Sequence, residues 1–178
     1  MVIAAVMAAV AANAATFSWK TTTAGKIYEA GSTTLLGSAT AYLFDADAVS
    51  QAAVLAAFDA GTAISTLAYA DTTTVSSGAI ALKQFDVPTG YDAGDTFTAY
   101  FALVVDDSIY IGPTSSASTP ATGDKGMTFN AKTSSQAAAL DIKGGYAGAG
   151  WYAAVPEPTS GLLMLLGMAG LALRRRRA

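Results

Sequence analysis

The chain has neither Cys nor His, so its chemistry must come from carboxylates, hydroxyls and aromatic rings. Thiol nucleophiles, His-dependent triads, disulfides and most zinc sites are excluded. Asp92-Ala93-Gly94-Asp95 sets two carboxylates in a loop that could offer oxygens to calcium. Calcium takes six to eight oxygens at about 2.3–2.6 Å, and no segment supplies a full set at regular spacing. Asp and Gly also populate turns for backbone reasons, so Asp92 and Asp95 are weak metal candidates. Asp45 with Asp47 and Asp106 with Asp107 are paired in the same way. A hydrolase would need two carboxylates facing across a groove, about 5–9.5 Å apart. With thirteen acids in the chain, spacing alone does not select a pair. No cofactor is expected. Trp19, Tyr146, Trp151 and Tyr152 are candidates for stacking on sugars. Trp19 alternates with polar neighbours beside Phe17 and reads as core. Trp151 and Tyr152 follow a Gly-rich stretch and are the glycan-contact candidates. Runs such as Thr72-Thr73-Thr74 and Thr114-Ser115-Ser116 suit a polar sheet face, loops, or O-glycosylation.

The elements that would position these residues are mostly strands, because apolar residues recur at period two between Gly, Ser, Thr and Asp clusters. Strand patterns cover residues 16–20, 26–29, 40–44, 64–69, 78–87, 96–105, 109–111 and 127–131, with a last short one at Trp151-Tyr152. Residues 96–105 are apolar on both faces, with Phe97, Phe101, Leu103 and Val105 on one side. Tyr100, Ala102 and Val104 lie on the other, which predicts a central strand covered twice. Asp106-Asp107-Ser108 turns the chain back as a hairpin. One helix is expected over residues 49–58, capped by Asp47, stopped by Gly61, and buried along Val54, Leu55 and Phe58. The expected fold is mainly β: an antiparallel β-sandwich with one short α-helix, or else a small β-barrel. No internal repeat is present.

The two ends differ from this body. Residues 1–12 are continuously apolar and lead into Ala12-Asn13-Ala14-Ala15. That small-residue pattern suits signal peptidase and predicts a signal peptide over residues 1–14. No Lys or Arg precedes the apolar core, which points to a start upstream of Met1. At the other end, Pro156-Glu157-Pro158 precede an uncharged run over residues 159–173, then Arg174, Arg175, Arg176 and Arg177. As a helix that run spans about 22 Å, short for a bilayer core of about 30 Å. The arginines can snorkel and mark a cytoplasmic end. Pro156 and Pro158 hold the preceding segment extended, and Glu157 is its one charge. All seventeen aromatics lie between Phe17 and Tyr152, so residues 15–154 must build the core. Six lysines face twelve acids there, a net −6 with no footprint for nucleic acid.

The order of Pro156-Glu157-Pro158, apolar helix and Arg cluster resembles a PEP-CTERM sorting signal, here over residues 155–178. The resemblance implies recognition by an exosortase, an integral-membrane cysteine transpeptidase of Gram-negative bacteria. Pro156, Glu157 and Pro158 would be its recognition motif and Arg174 to Arg177 the membrane stop. It implies cleavage near the motif, a transient inner-membrane anchor, and release to the cell surface or extracellular matrix. The family is associated with exopolysaccharide and biofilm. The Ala-Tyr-Leu-Phe-Asp run at 41–45 and Gly150-Trp151-Tyr152 also resemble the β-rich bodies found ahead of such tails, which have no assigned activity. Signal peptidase, exosortase, the inner membrane and extracellular polysaccharide are the expected partners. The leading expectation is a non-enzymatic, exported surface or matrix protein. A carbohydrate-binding adhesion module and a small carboxylate hydrolase are the alternatives.

Overall fold

A computed structural model describes residues 14–23, 25–131 and 148–153. The expected signal helix and the transmembrane helix lie outside these residues. The first half contains β1 (Thr16–Thr21), β2 (Ser38–Asp45), α1 (Gln51–Asp59) and a 3₁₀ turn (Ile64–Thr66). It continues through β3 (Asp71–Ser76), β4 (Ala79–Ile80) and β5 (Lys83–Asp86). The second half contains β6 (Thr96–Val105), β7 (Ser108–Ile111), β8 (Ser115–Ser118), β9 (Asp124–Phe129) and β10 (Gly150–Ala153). The protein is therefore mainly β with one short helix, as expected.

Among the described residues the strands form two sheets. One runs β5-β1-β9; the other runs β10-β7-β6-β2-β3-β4, with β8 also paired to β6. Their inner faces share one core. Phe17, Trp19, Met127 and Phe129 come from the small sheet, and Leu43, Val75, Phe97, Phe101 and Trp151 from the large one. Phe101 sits edge-on to Phe129 at 5.5 Å, and Phe17 stacks on Phe97 at 4.9 Å. The large sheet has a second covered face, where Phe44, Tyr100, Ala102 and Ile109 pack with Val54, Leu55 and Ile64. So β6 is central and buried on both sides, as its sequence requires.

A polar clamp joins the sheets. Asp71 on β3 accepts from the Trp19 indole N–H at 2.7 Å and pairs with Lys83 of β5 at 2.8 Å. Lys83 also donates to the Thr72 carbonyl. A buried indole N–H needs an acceptor, and a carboxylate from the opposite sheet supplies it.

Several expectations are corrected. The pair β1–β9 is parallel, whereas an all-antiparallel sandwich was expected. Between these strands the chain passes through every strand of the large sheet except β10, and such a crossover is what parallel pairing requires. Ser50, not Asp47, caps α1: its Oγ accepts from Ala53 N at 3.2 Å. Asp47 instead donates its N–H to Asp45 Oδ1 in a local turn. Gly61 does end the helix. At φ 69° it places its N–H on Phe58 O and that of Thr62 on Ala57 O, the paired bonds of a Schellman end. The run 64–69 begins as the 3₁₀ turn, not a strand, and 26–29 contributes a single bridge, Tyr28 to Leu35. Residues 78–87 split into β4 and β5, which belong to different sheets. β3 and β8 were not anticipated. Asp71-Thr72-Thr73-Thr74-Val75-Ser76 buries one residue, Val75, too weak an apolar alternation to read.

Candidate functional site

The sequence places function at the point where the body hands over to its C-terminal tail, and β10 forms that point. Its alternation is short but complete. Trp151 points into the core between the sheets, and Tyr152 into the cluster beneath α1. The Trp151 indole N–H donates to Tyr28 O at 2.8 Å, and its ring meets Tyr110 edge-on at 5.3 Å. The Tyr152 hydroxyl donates to the Gly148 carbonyl. Both side chains are buried, at 1% and 4% exposure. Expected as glycan contacts, they are instead core residues with no ring face free for a sugar. They close the domain as its last short strand, and that closure needs their apolar area inside.

β10 pairs antiparallel with β7, with Ala153 opposite Ser108, at one edge of the large sheet. The chain therefore leaves the body beside the β6–β7 turn, Asp106-Asp107. Asp106 takes φ 49° in this turn, a conformation Asp tolerates better than most residues. Two clefts flank it. One, of about 570 Å³, lies between the α1–3₁₀ segment and the strip of sheet carrying Thr40, Tyr42 and Val104. The other, of about 450 Å³, includes Glu29, Leu36, Ser38 and Trp151. Asp106 lines both.

Several other acids are engaged in structure, Asp71 in the clamp described above. Asp95 accepts from the Asp92 N–H at 2.8 Å and returns its own N–H to Asp92 O at 3.0 Å, so the Asp92–Asp95 loop is a self-closed turn. Asp124 accepts from Ser18 Oγ at 2.7 Å and ties β9 to β1. Asp45 accepts from the Tyr91 hydroxyl at 2.9 Å. Burial, reinforced by the Asp45 carboxylate, pushes Tyr91 ionisation well above the usual tyrosine range. Among the described residues, no three acids gather where a metal ion could be held. Pro156, Glu157, Pro158 and the four arginines lie outside the described residues.

Pro156 follows Ala153 by three positions, so the tail's first proline is within about 11 Å of the folded edge strand. The PEP-CTERM protein-sorting motif matches residues 154–177, directly after the last residue of β10. No curated protein and no solved structure matches the chain.

Proposed function

We propose that this chain, which carries a PEP-CTERM sorting motif, delivers a non-enzymatic β-rich body to the cell surface or extracellular matrix. The motif marks the chain as an exosortase target for export and membrane-associated sorting in Gram-negative bacteria. In this reading the N-terminal segment is removed by signal peptidase, the apolar run holds the body at the inner membrane, and cleavage near Pro156-Glu157-Pro158 frees it. The delivered body then associates with exopolysaccharide. One observation carries the reading: the motif match begins at residue 154, where the last strand of a closed core ends. Tag and cargo thus adjoin without an intervening domain. The bonding of Asp45, Asp71, Asp95 and Asp124 within the fold takes those four carboxylates out of the candidates for a hydrolase.

The test is to express the chain with its exosortase and replace Pro156, Glu157 and Pro158 with alanine. The natural chain is expected to lose the tail mass and reach the surface. The variant is expected to keep the tail and stay with the inner membrane. An unchanged mature mass and surface yield in the variant would overturn the sorting reading.

A further inference from the structure

We propose that the cleft beside the Asp106-Asp107 turn binds a short stretch of glycan made of neutral or amino sugars and excludes uronic acids. α1 has nine residues and covers the Phe44, Tyr100 and Ala102 part of the sheet. The same face continues past the helix end as Thr40, Tyr42 and Val104, which line the cleft against Phe58, Thr62 and Ser65. Its volume of about 570 Å³ falls within the range of small-ligand sites, which combine an apolar lining with a few convergent polar groups. Val104 is 37% exposed and Tyr69, edge-on to Tyr42 at 5.2 Å, is 42% exposed. Apolar area is thus open to solvent here instead of closed into the core.

The cleft combines two carboxylates with several hydroxyls. Asp45, Asp71, Asp95 and Asp124 are bonded within the fold, whereas the Asp106 and Asp107 carboxylates have no hydrogen-bond or ion-pair partner among the described residues. Tyr42, Thr40, Thr62 and Ser65 add hydroxyls, each able to donate and to accept. That is the bonding capacity a sugar hydroxyl requires, beside a tyrosine with an apolar body and a polar tip. No Lys or Arg lines the cleft. Two carboxylates without a cation repel an anionic ligand and favour an amine, so the charge selects against uronates. A Lys-rich peptide would answer to the same carboxylates but would leave the hydroxyls unused, so the glycan is favoured.

The inference deepens the polysaccharide association proposed above and rests on that reading. Its test reads binding, not processing, so its failure would leave the sorting result intact. The full chain, held in a sugar-free detergent, is titrated by calorimetry with cello-oligosaccharide, deacetylated chito-oligosaccharide, oligouronate and oligolysine. Expected is binding of the first two and none of the oligouronate. Asp106→Asn and Asp107→Asn should each weaken the amino oligomer by up to about fivefold and change the neutral one by less than about twofold. Tyr42→Ala should weaken both by at least about fivefold. Because Tyr42 also packs on the buried cluster, Val104→Lys, at an exposed position, is the second variant and should remove binding of both. The proposal is overturned if no glycan binds, if oligouronate binds as well as the others, if oligolysine is preferred, or if folded variants bind normally.

Discussion

Buried polar atoms set the residue-scale behaviour of this body. Tyr110 is 2% exposed, and its hydroxyl donates to Ala131 O at 2.6 Å. Burial pushes its ionisation well above the usual tyrosine range. In the unfolded chain it ionises near about pH 10. The folded value is the higher one, so its contribution to stability is complete below about pH 10 and drains away as pH rises further. Tyr91 shifts in the same direction and adds to the alkaline loss. Tyr110→Phe should therefore cost about 1–2 kcal/mol near neutrality, where a hydrogen bond is lost and a buried carbonyl is left unpaired. Above about pH 10 the variant should lose stability less steeply than the natural chain. Urea unfolding of both proteins, at about pH 8 and about pH 11, checks the sign: a gap that widens at high pH would contradict it.

The covering of the large sheet depends at the element scale on one irregularity. Between Ala99 and Ala102, three steps on β6 face four on the partner edge, because Ala99 opposes Ser115 and Ala102 opposes Ile111. β7 and β8 are thus one strand interrupted by a bulge at Gly112-Pro113-Thr114, a site where sheets tolerate proline. Gly112 is required there by closeness, not by dihedral angle. A Cβ at that position would lie 2.5 Å from Phe101 Cε1. The ring cannot yield, because Phe101 is fully buried, stacked on Tyr110 at 5.8 Å and edge-on to Phe129. The Gly112 carbonyl also receives Gln51 Nε2 at 2.7 Å, which fixes the start of α1 over the sheet. Gly112→Ala should destabilise the body by about 1–3 kcal/mol through overpacking, measured as a lowered urea midpoint. A substitution within about 0.5 kcal/mol of neutral would show that the bulge relaxes freely.

Strand composition explains what was legible before the structure. β6 was, because its run from Ala99 to Val105 is apolar on both faces and suits a doubly covered strand. β1 was, through Phe17 and Trp19. β3 and β8 were not: hydrogen bonds to stronger neighbours hold them, and their Thr and Ser runs suit a polar sheet face and a loop alike. The parallel β1–β9 pairing was invisible because no local signal encodes a partner about a hundred residues away. The sorting tail was legible from the order of its parts. The cleft was not, because Tyr42, Phe58 and the Val104–Asp106 stretch come from three separate segments that only the fold brings together.

For the whole molecule, the question is how a membrane enzyme reaches a motif set against a folded edge. Three residues carry the chain from Ala153 to Pro156, at most about 11 Å. β10 does not peel back freely, because that would expose Trp151 and Tyr152. The two rings together stabilise its docking by about 3–6 kcal/mol. An enzyme working near Pro156-Glu157-Pro158 must therefore operate almost against the body, at the end that carries Asp106 and Asp107. A flexible Gly/Ser linker behaves as random coil and extends reach with the square root of its length. Insertion of eight such residues after Ala153 would move the motif clear of the body without altering either part. Processing of the precursor, followed by pulse-chase with the exosortase present, should then run several-fold faster. Trp151→Ala should also speed it, by freeing β10, while lowering the stability of the body. If the spacer slows processing instead, the body holds the motif in place for the enzyme, and its tethered end is a docking surface, not an obstruction.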